Sequence, residues 1–509
     1  VGFGLACSEK VKKDFNLATA MLHSFEYTEA EKVFAKVIED DPECVMAYWG
    51  AAMCSFHPLW APPGEADLEK GARFVELGRS IAENKSSRES DYLEAIATIY
   101  DDWKTLGHKA RLLKFEKACQ ALYEKYPDDT EAAVFYALAL DASADPADKT
   151  FRNQKKAGDI LNAIFTTYPD HPGIAHYIIH NYDYPELAEQ GLAAARKYAS
   201  IAAASAHAQH MPSHIFTRLG LWDESIQSNT KSVAAAKCYA ENLGMKAHWG
   251  QELHGLDYLM YAYLQKGDDN EALKQLDYLK TIKEVFPMNF AEAYCFGAMP
   301  ARYAVERKDW KAAVKLQFEP AEFPWDKFPW ESANINFARL LGAVHNGNIQ
   351  LAKQDLQQLE GLQERLLKTN EYQSNLVLIQ VKASKAWIRL AEGNKSEAIA
   401  LMAEAADMED ATAKHPVTPG EIVPARELLG DMYLKLGDAV KALTAYEEDL
   451  ARHANRFNGL HGAAVAAERS GDLDKAALYY QQLLELADES GRPELAAARS
   501  YLKRRGVGS

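Results

Sequence analysis

The sequence is poor in several things that would otherwise place it. Six cysteines among 509 residues are too few for a disulfide-built scaffold, and no Cys-x-x-Cys pair marks a redox centre or a thiolate zinc cage. Cations are in deficit, with 57 Lys and Arg against 73 Asp and Glu and a net charge of −16. Phosphate binding draws on clustered cations, and the one local cluster is Lys503-Arg504-Arg505, so no nucleic-acid partner is expected. No run approaches the roughly 18 continuous apolar residues of a membrane span, so no transmembrane segment is expected. Also missing are a phosphate-cradling glycine loop ending in Lys-Ser/Thr, a Gly-x-Ser-x-Gly elbow and a His-Glu-x-x-His zinc motif. No run of alternating β-branched residues suggests a sheet.

What is present is repetition. Leu436-Gly437-Asp438 is followed by Ala442, Tyr446 and Leu450, and 34 residues later the pattern returns as Gly471-Asp472, Ala476, Tyr480 and Leu484. A glycine permits the left-handed turn between two helices, a small residue lets them approach, and the aromatic fills the space above. The same mark recurs at Gly220/Ser225, Gly267/Ala272, Gly347/Ala352 and Gly393/Ala398, with glycine-free variants at Phe25/Ala30 and Lys308/Ala313. A repeating helical hairpin with insertions follows from this, about ten hairpins in all.

Leu429, Gly430, Tyr433, Ala442 and Tyr446 stand at signature positions of the tetratricopeptide repeat, which the chain resembles. More narrowly, Leu22-His23-Ser24-Phe25, Asp41-Pro42-Glu43-Cys44, Met46-Ala47-Tyr48-Trp49-Gly50, His57-Pro58-Leu59-Trp60 and His210-Met211-Pro212-Ser213-His214-Ile215 resemble a group of large bacterial tetratricopeptide-repeat proteins. The resemblance implies an all-α, right-handed superhelical solenoid of helix-turn-helix repeats, and says more of fold than of function. On this reading residues 1–317 are N-terminal repeats with a histidine-rich central groove. Residues 318–331 form a Pro/Trp loop, and 332–509 are C-terminal repeats with a capping helix.

The fifteen histidines are not scattered. Eight of them, His171, His176, His180, His207, His210, His214, His248 and His254, lie in one 84-residue window. His176/His180 and His210/His214 have i,i+4 spacing, which stacks two imidazoles on one helix face, although Pro212 interrupts the second pair. The register implied by the resemblance turns His23, Trp49, His57, His214, His254, Asp257, Arg302 and His461 toward a concave groove, and brings His176 and His180 close to it. The metal-ligand set expected from this is His176, His180, His207, His210, His214, His254 and Asp257, with Glu252 as an alternative carboxylate. The metal would be a divalent transition ion: Zn, Cu, Fe or Ni. Trp49, His57, Trp60, Tyr258 and Arg302 are expected to line a ligand groove. For each single histidine the plain alternative is a solvated or hydrogen-bonded side chain.

The doubled Glu322-Phe323-Pro324-Trp325-Asp326 and Lys327-Phe328-Pro329-Trp330-Glu331 cannot continue a helix, and covers the groove, engages a partner or packs over a repeat junction. The sequence begins at Val1, with no basic-then-apolar leader, which gives export to a periplasm or beyond as the expected location. In an oxidising compartment Cys7 and Cys44 are the pair expected to bridge, because Cys7 lies in an arm that needs tying down. Two functions remain open. One is a protein that binds a peptide, protein partner or small molecule in its groove; the other is a metal-dependent enzyme of unspecified reaction.

Overall fold

The computed structural model describes residues 3–82, 87–487 and 490–506; Val1, on which the export expectation rests, lies outside them. The chain is all-α, built of helical hairpins in which each helix packs on the next. Among the described residues the only strands are His248–Trp249 and Val285–Phe286, a two-residue parallel pair. All eight turn positions read from the repeat have a positive φ. They include the glycines at 437 and 471, at 86° and 85°, and the exceptions Phe25 and Lys308, at 58° and 51°. Glycine carries that conformation without strain, whereas Phe25 must be held in it.

The chain divides into two compact units, residues 1–215 and 216–509. In the first, helices two apart in sequence also touch, as Val45–Phe56 touches Ser87–Tyr100 and Thr130–Ala142 touches Pro172–Asn181. The innermost of these helices are enclosed on nearly every side. All twelve residues of Val45–Phe56 are buried, whereas its neighbour Tyr27–Asp40 buries only Ala30, Phe34 and Val37. An apolar stripe suffices for an outer helix, but an inner one must be apolar almost all round. The first helix, Lys12–His23, also packs against Pro172–Asn181, which brings His23 beside His176.

The N-terminal arm is tied down as the sequence suggested, by a Cys7–Cys44 disulfide with the Cα atoms 4.8 Å apart. Cys44 caps the helix Val45–Phe56, so the arm is fastened to the innermost layer.

In the second unit Tyr446 fills the space above Gly430 and Gly462, where an added Cβ would collide with its ring. Its hydroxyl donates to Asp431 Oδ1 at 2.7 Å, while Ala442 and Ala476 are fully buried at the helix crossings. The Pro/Trp segment packs over neighbouring helices. Phe323 contacts Phe296, Trp325 Nε1 donates to the Pro320 carbonyl at 3.1 Å, and Trp330 is buried against Tyr294.

Candidate metal centre

Three imidazoles of the first unit converge. His176 and His180 lie one turn apart on Pro172–Asn181, and His207 comes from the short helix Ala206–His210. His176 Nε2 is 3.1 Å from His180 Nε2 and 3.2 Å from His207 Nε2. His176 is fully buried, His207 is 5% exposed and His180 is half-buried. The ring of Phe25 lies 4.4 Å from that of His176, which also stacks on Tyr198 at 5.0 Å. Phe25 holds its positive φ at this wall, where backbone strain is found most often beside functional groups.

The tautomer of His176 follows from its partner. Its Nδ1 is 2.6 Å from the backbone carbonyl of His23, which can only accept, so Nδ1 carries the proton and Nε2 presents a lone pair. One lone pair cannot take full hydrogen bonds from both His180 and His207. The three nitrogens form a group that could hold a metal ion. With bonds near 2.0–2.1 Å, neighbouring donors stand about 3.0–3.4 Å apart in octahedral or tetrahedral shells, the spacing of His176 Nε2 from its two neighbours. Burial, then the proximity of His180 and His207, drives the His176 pKa well below its ordinary value. Burial, then His214, pulls His180 down to about 3. Both are neutral imidazoles near pH 7, as ligation requires.

His210 and His214 meet beside this set, with 3.0 Å between their Nε2 atoms. Pro212 does not part them. Met211 keeps helical angles (φ −50°, ψ −40°), and the proline simply opens the next helix, where its missing N–H costs nothing. His214 Nδ1 donates to Asp183 Oδ2 at 2.9 Å.

A third cluster looks similar and is chemically closed. Glu131 accepts from His23 Nε2 at 2.9 Å and from His171 Nε2 at 3.0 Å. The remaining nitrogens accept in turn, His23 Nδ1 from the Tyr177 hydroxyl at 3.0 Å and His171 Nδ1 from the Ile174 amide at 3.4 Å. Burial opposes the charge on Glu131, but His23 and His171 hold its pKa far below the carboxylate range. The cluster fixes His23, and thereby the carbonyl that orients His176.

The other residues singled out in the sequence are placed as follows. Trp49, expected in the groove, is 2% exposed and enclosed by Phe3, Tyr92 and Phe135, because its helix is an inner one. Trp60 is 49% exposed, its ring 5.3 Å from that of His207, and with His57 it lines a cavity of about 200 Å³. Asp257, expected as a metal ligand, pairs with Arg302 at 2.5 Å, both buried. Arg302 also donates to Tyr294 and to the Gly420 carbonyl, so it is bound within its unit rather than offered to a groove. The Tyr258 hydroxyl donates to the Thr418 carbonyl at 2.9 Å. His254 stands on the helix Gly250–Gln265, its ring 5.5 Å from that of Tyr258. Glu252 is held by His248 and Tyr278. Sequence reasoning passed over Asp183 and Glu131, and the short step from His180 to Asp183 was the one available signal for the former.

Fold and site together define a helical-repeat protein with a buried imidazole cluster. A family model described as a tetratricopeptide repeat matches residues 460–494, supporting that superfamily for the repeat. No curated protein matches the chain in sequence. Among solved structures, the human IFIT1 dimer with m7Gppp-AAAA is 12% identical, covering 92% of this chain and 95% of that one, with a TM-score of 0.39. The human IFIT1 dimer with PPP-AAAA is likewise 12% identical, covering 95% and 96%, with a TM-score of 0.38. Likeness at that level brings neither ligand to this chain.

Proposed function

We propose that this protein binds a divalent transition-metal ion through His176, His180 and His207, and holds a peptide, protein segment or small ligand at the adjoining aromatic wall. The observation that carries the reading is the lone pair of His176 Nε2 facing two further imidazole nitrogens at 3.1 and 3.2 Å. Neutral imidazoles suit Zn, Cu, Fe or Ni. The exposed ring of Trp60, beside His207 and Phe25, supplies an apolar contact for the ligand. The acidic balance of the chain disfavours a nucleic-acid ligand, and no helix among the described residues is long and apolar enough to cross a membrane. The Cys7–Cys44 disulfide supports an oxidising, exported location.

A metal-dependent enzyme is the second reading. It is favoured by the count of donors, since three protein ligands leave a position for water or substrate, and by the partial exposure of His180.

Elemental analysis of protein purified without a histidine tag tests the metal. At least one equivalent per chain is expected, lost in His176→Ala and His207→Ala with helix content unchanged. Metal that stays below a tenth of an equivalent in the unsubstituted protein, even after incubation with Zn(II), would sink the reading.

A further inference from the structure

The three-imidazole set leaves His210 and His214 unused. We propose that this pair holds a second metal ion next to the first, so that the centre is dinuclear; the inference rests on the metal reading above. The Nε2 atoms of the pair stand 3.0 Å apart, the spacing of neighbouring donors in one coordination shell. Both residues are buried, His210 completely and His214 at 5% exposure. Asp183 takes the proton of His214 Nδ1, leaving Nε2 as a lone pair aimed at His210. A carboxylate behind a ligating imidazole is the arrangement that fixes the tautomer and raises donor strength at metal sites.

The pair is separate from the first set yet adjacent to it. The ligand atoms of His176, His180 and His207 lie within 4.8 Å of one another and form their own group. The link is His180, whose ring is 4.8 Å from His176 and 6.4 Å from His214. The pair on Pro172–Asn181 and the pair that spans Ala206–His210 and Pro212–Leu219 thus supply four imidazoles, and His207 a fifth.

The test titrates chelator-stripped, full-length, untagged protein with Zn(II) and counts bound metal after desalting. Two equivalents are expected in the unsubstituted chain, and one in His210→Gln and His214→Gln. One equivalent that survives both substitutions overturns the second site while the first stands. No bound Zn(II) at all overturns both. A Cu(II) titration of the unsubstituted protein reads the same question without a variant: the second equivalent is expected to weaken the electron paramagnetic resonance signal of the first through coupling. A signal that simply doubles, as two isolated ions give, overturns the dinuclear centre.

Discussion

In the second unit the Arg456 guanidinium is fully buried and donates to Glu306 at 2.8 Å, to Glu427 at 3.0 Å and to the Tyr261 hydroxyl at 2.9 Å. In the first unit His176 is equally buried, but its Nε2 faces two imidazole nitrogens and only one of them can give it a full hydrogen bond. Burial is therefore a poor guide to function by itself. A buried network that pairs opposite charges, as around Arg456, is structural, while three imidazole nitrogens converging on one point offer a site to a further species. The same test separates the two histidine clusters of the first unit, since every nitrogen around Glu131 has a complementary partner.

The comparison breaks most visibly in stability. Arg456→Ala would take the buried guanidinium from Glu306 and Glu427, a loss of about 3–5 kcal/mol. Urea unfolding is expected to read that loss with metal content untouched. In metal-free protein His176→Ala is expected to cost less, because it relieves facing nitrogens rather than stranding a charge. An Arg456→Ala cost under about 1 kcal/mol, at the level of a surface pair, would remove the contrast.

A smaller effect tests how the closed cluster serves the open one. Glu131→Gln replaces one accepting oxygen by a donor, so His23 or His171 loses its partner, and the His23 carbonyl that orients His176 is no longer fixed. Loss of such support lowers metal affinity about 10–100-fold, readable by competition with a chelator of known affinity. Unchanged affinity in a folded Glu131→Gln protein would show that the cluster serves packing alone.

How much of this was legible in the sequence follows the range of the interactions. Turns depend on a few consecutive residues, so Gly437, Gly471 and even Phe25 could be read from spacing. The i,i+4 pairs could be read for the same reason, and the doubt over Pro212 was wrong only because Met211 remains helical. Trp49 could not be placed, because its burial depends on Phe3, Tyr92 and Phe135, brought together by tertiary packing. Asp257 was likewise indistinguishable from a ligand until Arg302, 45 residues on, proved to be its partner. The contact between Lys12–His23 and Pro172–Asn181 is longer still in range, and no local pattern announces it.

The finest comparison is in pH, measured on metal-free protein. His180 is pulled down to about 3 from 6.5, by burial first and then by His214. An unfolded chain binds that proton more readily, so the stability is complete above pH 6.5 and is lost as pH falls toward 3. His453, in the second unit, goes the other way. Burial opposes its charge, but Asp449, 2.8 Å from its Nδ1, and Glu421 raise it to about 10. Its contribution is complete below pH 6.5 and is lost as pH rises through 10. Each limb has a slope of at most about 1.4 kcal/mol per pH unit for one proton. His180→Gln is expected to flatten the acid limb alone and His453→Gln the alkaline limb alone. Saturating Zn(II) should steepen the acid limb of the unsubstituted protein, because protons then compete with an ion for the same imidazoles. An acid limb indifferent to both His180→Gln and Zn(II) would mean that the buried imidazoles of the first unit are as self-sufficient as the ion pairs of the second.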